Sequence, residues 1–573
     1  MKRPNIWGPG SLFAFSGLDG QNTLKNSIVG TLCADRIGVL FHTDTKRELS
    51  FALTDIKDIR YEIVASDIIK ATLLNKKTKE KLPLSIAFCA QDTVVGLTTE
   101  SALPLVFCIG EATTEYVSTI QVHKTDGEYT AFAKEADGQS IKFAFSYSKQ
   151  SEADAVQKAQ EALKIDVHAL AEQKIAFFDQ LPQTSHADGR VEKTLAKCFS
   201  VMKSQVYTKE GMFTSRWTTP DRLPHRKLWL WDSVFHAVGN KYISPELASD
   251  SIKAVLSTQQ EDGFIPHLSF PDKSSDITQP PVLAWGLYHL YQYGSNKTLL
   301  EETYEPLKKY LEWNIGHRDV NHNHLFEWKV NPNSTSCRCD ECGMDNSPRF
   351  DNVVEMDCID FSCLMANEAR VMADIAGVLG LKDEQDKWSA LFAKIKHAVN
   401  EHLWDGEHQF YYDKIVESGA FKKVKAVSSF LPLFAGICEP HHAESLVKHL
   451  TDDKSFGAPF SIPSISLDDP TFGSDMWRGP VWINYNYLIS LGLKEYGYHE
   501  LANDIIGKTV EIITQWYQHD GVIYEFYDSM NKVSPSRLNR KGPAIEPYDF
   551  NIRYQSIRDY GWSCTLFPAM VLE

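Results

Sequence analysis

No run of eighteen or more apolar residues occurs in the 573-residue sequence, so nothing in it reads as a membrane-spanning helix. The opening stretch MKRPNIWGPGSLFAF has a short basic head but lacks a continuous apolar segment and a small-residue cleavage site, so no export signal is expected there. Long blocks of one charge sign are missing too. The 75 acidic and 59 basic residues are spread along the chain and leave a formal net charge of -16. An acidic protein repels polyphosphate, which argues against nucleic acid and anionic membranes as partners and favours a neutral small molecule or oligosaccharide. Neither an internal repeat nor a low-complexity segment is visible. The eleven cysteines are odd in number, and most sit singly in apolar surroundings such as LPLVFCIG. They read as reduced core residues, with a cytoplasmic location as the expectation.

Two textures are present. From about residue 10 to 148, short β-branched and aromatic runs recur roughly every ten residues between turn signals. They include IVGTLCA, GVLFHT, LSFAL, IRYEIVA, IIKATLL, LPLSIAF, VVGLTT, LPLVFCI, VSTIQVH, YTAFAK and IKFAFSY. This spacing predicts an antiparallel β-sandwich over residues 1–149. Residues 150–185 read as a helical linker. Residues 186–573 carry about twelve helical segments, starting near 190, 232, 246, 280, 297, 356, 383, 425, 440, 479, 498 and 559, which suggests six helical hairpins. Alternate connections between these helices are long and rich in Trp, Tyr, Gly, Pro, Asp and Arg, so one end of a ring of hairpins is expected to carry the function.

Five stretches of the helical part combine flat rings with carboxylates, amides or Arg, the mixture that grips a sugar by stacking on its C–H faces and hydrogen-bonding its hydroxyls. The first, RWTTPDRLPHRKLWLWDSVFH, offers Trp229, Trp231 and Asp232; QEDGFIPH offers Phe264 and His267; TQPPVLAW offers Gln279 and Trp285. GSDMWRGPVWINYNY adds Trp477, Arg478 and Trp482, and GVIYEFYD adds Tyr524 and Tyr527. Asp232 suits either a sugar hydroxyl or the N-cap of the helix that starts there. Arg478 suits either the tuning of a carboxylate or a structural ion pair. Aromatic filling of a helical core is the plain alternative for any single ring. Cleaving a glycosidic bond takes two carboxyl groups, and the candidates are Asp345, in a loop bounded by Gly and Pro, and Glu525, between two tyrosines.

The stretch CRCDECGMDNSPRFD is the densest in chemistry. Cys337, Cys339 and Cys342 fall short of the four ligands of a zinc site, with Cys358 and Cys363 further on, and no EF-hand spacing is present. Free thiols are the expected state, with no metal and no cofactor.

Taken in order, WLWDSVFHA, DGFIPH, TQPPVLAW, GMDNSPRFD, GSDMWRGPVWINYNYLI, IYEFYD and YGWSCTLF resemble the signature stretches of glycoside hydrolase family 63, over residues 210 to 570 or so. The resemblance implies an (α/α)6-barrel catalytic domain preceded by a β-sandwich, and an inverting mechanism. It places the general acid on Asp345 and the general base on Glu525. The cysteine-rich STSCRCDEC departs from the family's plain polar loop; Glu341 stands where the family has a sugar-binding acidic residue. The implied activity is that of an exo-acting α-glycosidase, with an α-glucoside the leading substrate. A glycoside phosphorylase and a catalytically inactive sugar-binding protein are the rivals.

Overall fold

The computed structural model describes residues 8–32, 39–42, 48–53, 56–99, 105–109, 112–115, 119–334, 336–460, 462–546, 548–549 and 552–573. Parts of four expected strands, at residues 33–34, 38, 43, 103–104 and 117–118, lie outside them, as do the first seven residues. The chain divides into two compact units, one holding the residues up to Glu210 with Trp516–Ile523 and the other holding Gly211–Gln515 with Tyr524–Glu573.

The first unit contains two antiparallel sheets. One runs through Leu12–Ala14, Val29–Leu32, Val39–His42, Glu48–Leu53, Leu105–Ile109 and Ala112–Glu115 in that order. The other runs through Ile120–Thr125, Glu128–Ala136, Ser140–Ser148, Thr93–Thr99, Lys81–Ala90, Ile68–Asn75 and Ile56–Ala65. Side chains alternate between the faces of a strand, so Phe143, Phe145 and Tyr147 share one side. They meet Phe13 and Phe41 of the first sheet in a common apolar core, where the rings of Phe41 and Phe145 stack with centroids 4.9 Å apart.

The opposite face of the second sheet is lined by small residues, Ala131, Ala133 and Ala144. Helices α1 (Glu152–Ala162) and α2 (Val167–Asp179) lie on it with Ala155, Ala159, Ala162 and Val167. Ser151 and Asp166 cap their N-termini. The stretch expected as a linker is therefore helical but packed, because its apolar stripe covers sheet surface that would otherwise face water. Helix α3 (Gly189–Ser204) also belongs to this unit. Ser66 donates its amide to Ser200 Oγ at 2.8 Å and its hydroxyl to Ser200 O at 2.7 Å, and Asp67 pairs with Lys203 at 2.7 Å and Lys174 at 3.3 Å, all three of them buried. These contacts keep α3 in the first unit, which runs to Glu210, whereas the helical domain is expected from the sequence to begin at 186.

The second unit holds α4 (Leu230–Asn240), α5 (Pro245–Leu256), α6 (Leu283–Gly294), α7 (Lys297–Arg318), α8 (Ile359–Leu379), α9 (Lys382–His402), α10 (Leu431–Ala435), α11 (Pro440–Thr451), α12 (Ile483–Glu495), most of α13 (His499–Asp520) and α14 (Gly561–Leu572). Helices α4, α6, α8, α10, α12 and α14 each pack on the next, and α14 packs back on α4, which closes a ring of six. Every residue of α4 is buried, as is α14 from Gly561 to Met570, the signature of helices enclosed on all sides. At the closure Gly239 of α4 lies against the backbone of Thr565 so closely that a Cβ would fall 2.4 Å from its carbonyl oxygen. Helices α5 and α7 lie outside the ring, each against two of its members.

The helix starts fall within a few residues of the expected ones. The larger offsets lie where proline intervenes. Pro280 and Pro281 precede α6, and Pro480 precedes α12; each bars the helical hydrogen bond and pushes its predecessor into an extended conformation. Near 425 the chain forms a 3-10 turn, Val427–Phe430, before α10. Connections leaving the ring helices are short, as at 241–244, 295–296 and 380–381, whereas those entering α6, α8, α10, α12 and α14 are long. Among the described residues no helix is long and apolar enough to cross a membrane.

Burial opposes ionisation of Asp67, but the two ammonium groups outweigh it and hold its carboxyl below the ordinary value. A depressed carboxyl stabilises the fold above its unfolded pKa, and the contribution is lost as pH falls through the folded value. Asp67→Asn should therefore cost about 3–5 kcal/mol at neutral pH. In thermal unfolding the gap from wild type should narrow below about pH 4.

Candidate active site

The chain segments that enter the ring helices converge on a cavity of about 320 Å³ in the second unit. Of the residues singled out in the sequence, Trp229, Trp231, Asp232, His267, Gln279, Asp345, Trp482 and Glu525 line it. Trp231, Trp562 and Trp482 form a run of edge-on rings with centroid separations of 5.5 Å at each step, and Tyr560 leans on Trp562 at 4.9 Å.

Glu525 sits in an extended segment held on both sides. Its amide donates to Ile557 O at 2.9 Å, and Tyr527 exchanges bonds of 2.7 and 3.1 Å with Val481. The carboxylate is buried and forked onto Arg540, with Nε to Oε2 at 2.8 Å and Nη2 to Oε1 at 3.1 Å. Burial pushes the Glu525 carboxyl up, and Arg540 offsets only part of the shift.

Asp345 sits in a loop folded on its own carbonyl, which accepts the amides of Arg338 at 2.9 Å and Cys339 at 3.4 Å. Its carboxylate contacts the Lys541 ammonium, and Asp340 lies 3.9 Å from the same ammonium. Gly343, two residues before it, has φ of 72° and lies against the Trp231 indole, where a Cβ would come within 2.4 Å of the ring. Only glycine meets both conditions.

Asp232 is the third residue of α4, so the capping role considered for it falls to Trp229, whose side chain makes no cap bond. Its carboxyl accepts from Tyr560 Oη at 3.3 Å, and burial pushes it up to about 8. Burial pulls His267 down to about 4, while its Nδ1 pairs with Ser275 Oγ at 2.6 Å. Gln279 accepts the Trp231 amide at 3.2 Å.

Residues 225–563, more than half of the chain, match the model of the mannosylglycerate hydrolase MGH1-like glycoside hydrolase domain. The chain belongs to glycoside hydrolase family 63. Mannosylglycerate hydrolase MGH2 of Selaginella moellendorffii is 27% identical to it over 395 residues, covering 54% of this chain and 77% of its own. The crystal structure of the family 63 mannosylglycerate hydrolase from Thermus thermophilus in complex with glucose is similar with a TM-score of 0.52 and 21% identity, over 66% of this chain and 99% of that one. A bacterial glucoamylase complexed with acarbose is similar with a TM-score of 0.58 and 12% identity, over 99% of this chain and 95% of its own. At these identities the two structures share a fold with this chain. As a member of family 63 it is a hydrolase of glycosidic bonds.

The remaining residues singled out in the sequence stand outside the cavity of this family 63 hydrolase. Trp477 is buried behind Trp482, stacked at 3.8 Å and 4°. Tyr524 and Tyr527 are buried beside Glu525, and the Tyr527 hydroxyl accepts the Tyr524 amide at 2.9 Å. Phe264 packs on Trp313 at 4.9 Å, and Trp285 packs inside the ring on Phe434 at 5.6 Å. Glu341 is consumed by Arg318 and by the amides of Thr278 at 3.2 Å and Lys329 at 2.8 Å, so it fastens three loops and offers nothing to a ligand. Arg478 spends its guanidinium on Asp351 and the Asn346 carbonyl.

Cys337 and Asp340 of the CRCDEC stretch also line the cavity, as do residues not singled out in the sequence: His225, Lys227, Arg540, Lys541, Arg553, Tyr560 and Trp562. The last two lie in YGWSCTLF. Arg540 and Lys541 lie in NRKGP, whose glycine and proline mark a loop without pointing to a site. Cys339 and Cys342 are buried beneath the loop, with the Cys342 thiol donating to Cys339 O at 3.2 Å.

Gly343→Ala should destabilise the protein by about 1–3 kcal/mol through overpacking against Trp231. It should also lower glycosidase activity, since Asp345 follows on the same turn. Thermal unfolding and kcat/KM on the same preparation check both.

Proposed function

We propose that this family 63 hydrolase is an inverting, exo-acting α-glycosidase with Asp345 as general acid and Glu525 as general base. The observation that carries the reading is the pair of carboxylates on the wall of one aromatic cavity, each against its own cation. The closed ring of six helices is read as an (α/α)6 barrel, and the two sheets with a shared core as an antiparallel β-sandwich.

In this reading the terminal sugar stacks on the rings of Trp231, Trp482 and Trp562. Asp232, kept protonated at neutral pH by its burial, donates to a sugar hydroxyl. Glu525, oriented by the Arg540 fork, takes a proton from a water that attacks the anomeric carbon opposite the departing oxygen. The bond from the anomeric carbon to that oxygen breaks with its electron pair, and Asp345 protonates the oxygen. On arrival the leaving-group oxygen takes the place of the Lys541 ammonium beside Asp345; Asp345 takes up from solvent the proton that it donates, and Glu525 returns to solvent the proton taken from water. An α-linked substrate then yields a β-anomer.

Two cations at the cavity, Lys227 and Arg553, make no ion pair among the described residues. Burial and the charge of Arg553 lower the pKa of Lys227. Two like charges facing one opening favour an anionic leaving group, which supports an α-hexoside of an organic acid, such as a glucosyl- or mannosylglycerate, over a neutral disaccharide.

Proton NMR of the reaction on α-gluco- and α-mannosides, with neutral and acidic leaving groups, tests the reading. The β-anomer should appear first, and the acidic series should react fastest. An α-anomer first, or turnover only with added phosphate, would overturn it. Asp345→Asn and Glu525→Gln should each fold normally and lose nearly all hydrolysis, about 10²–10⁴-fold or more. Because burial raises Glu525, the acid limb of kcat/KM should have its midpoint above the ordinary glutamate value of about 4.3.

A further inference from the structure

Arg478 touches no part of the cavity, yet it grips the loop that carries Asp345 at two points. Its Nε donates to the carbonyl of Asn346, the residue after Asp345, at 2.8 Å. Its Nη2 donates to both carboxylate oxygens of Asp351 at 2.8 and 2.9 Å, where the same loop ends. The neighbouring Trp477 amide donates to the Asn346 side chain at 3.0 Å. Arg338, whose amide holds the Asp345 carbonyl, also sets its guanidinium against Asp351 at 3.1 Å. Lys422 closes the loop end by donating to Asp351 O at 2.6 Å.

We propose that Arg478, paired with Asp351, is a positioning residue that fixes the direction of the Asp345 carboxyl for proton donation to the departing oxygen. The inference rests on the reading of Asp345 as the general acid. A loop residue has no helix or strand to hold its angle, and an acid displaced by about 1 Å can lose about 10²-fold in rate. The Asp345 loop gains that rigidity from bonds to the carbonyls of Asp345 itself and of Asn346. These bonds leave the carboxyl itself free to exchange Lys541 for substrate. Arg478 and Asp351 keep 21% and 25% of their side chains exposed, so the pair can be altered without leaving a sealed charge in the core.

The test compares an O-linked α-glycoside with the corresponding α-glycosyl fluoride, whose leaving group needs little protonation. Lysine keeps the charge of arginine but loses the planar fork that reaches Asn346 and Asp351 together. Arg478→Lys should lower kcat on the O-glycoside by about 10- to 100-fold with KM within about twofold, while the fluoride rate stays within about threefold. Asp351→Asn should give the same selectivity, and the double variant should be no slower than the worse single one. Equal slowing of both substrates, or no slowing of either, would overturn the positioning role. Asp345→Asn serves as reference. If it loses the fluoride and the glycoside alike, the acid assignment fails; if it spares the fluoride while the Arg478 and Asp351 variants do not, only the positioning role fails.

Discussion

A guanidinium sealed from water must find its acceptors inside the protein, and Arg349 finds them in Asp360 and Asp413. Four contacts of 2.7 to 2.9 Å join the three side chains, all of them buried. Each belongs to a different piece of chain: Arg349 to the end of the Asp345 loop, Asp360 to the first turn of α8, Asp413 to the strand Asp413–Ile415. The same carboxylates hold the Ile359 amide at 2.9 Å and the Trp328 indole at 3.0 Å. The position of the Asp345 loop over the ring thus follows from one buried charge and its need for partners. Arg349 also reaches Met344 Sδ at 3.4 Å, one residue from Asp345.

The same economy governs the cavity. The Glu525 carboxylate is forked onto Arg540 and Asp345 lies against Lys541, while Asp221 faces His225 at 2.7 Å, an imidazole whose pKa burial lowers. Carboxyls without a cation are neutralised by burial instead. Asp232 is one; Glu368 of α8 is another, pushed up to about 7 while accepting the amides of Ala284 and Trp285 at 2.8 and 2.9 Å. Glu368 so supplies an acceptor to the first turn of α6 from a neighbouring helix, where no residue of α6 caps itself.

Much of this was legible in the sequence. The alternation of long and short connections marked the end of the ring where the cavity lies, and the helix starts were readable from apolar periodicity except where proline delays them. Asp345, Glu525 and six of their suggested neighbours come together because each lies in a long connection leading into a ring helix or, like Trp231 and Asp232, in the first turn of that helix. What the sequence could not tell was facing. In the extended segment around Glu525, successive side chains point to opposite sides, so Tyr524 cannot line the wall that Glu525 lines. Trp477 and Trp482 look alike in sequence, and only packing decides which is wall and which is backing. Arg540 and Lys541 were missed because their partners come from distant parts of the chain. The stretch at 150–185 was readable as helix, but its docking was not, because the alanines that receive it are scattered over two strands.

Arg540 and Lys541 are consecutive residues, yet one serves Glu525 and the other Asp345. The backbone makes this possible by turning over at Lys541, where φ is 56°, so that neighbouring side chains diverge to opposite sides of the substrate chamber. One peptide unit is therefore a common anchor for both carboxylates. The gap between them is spanned by this short tether, and any drift of the segment changes the two sides in concert. The mouth of the cavity can be reshaped through its surrounding loops without altering that span.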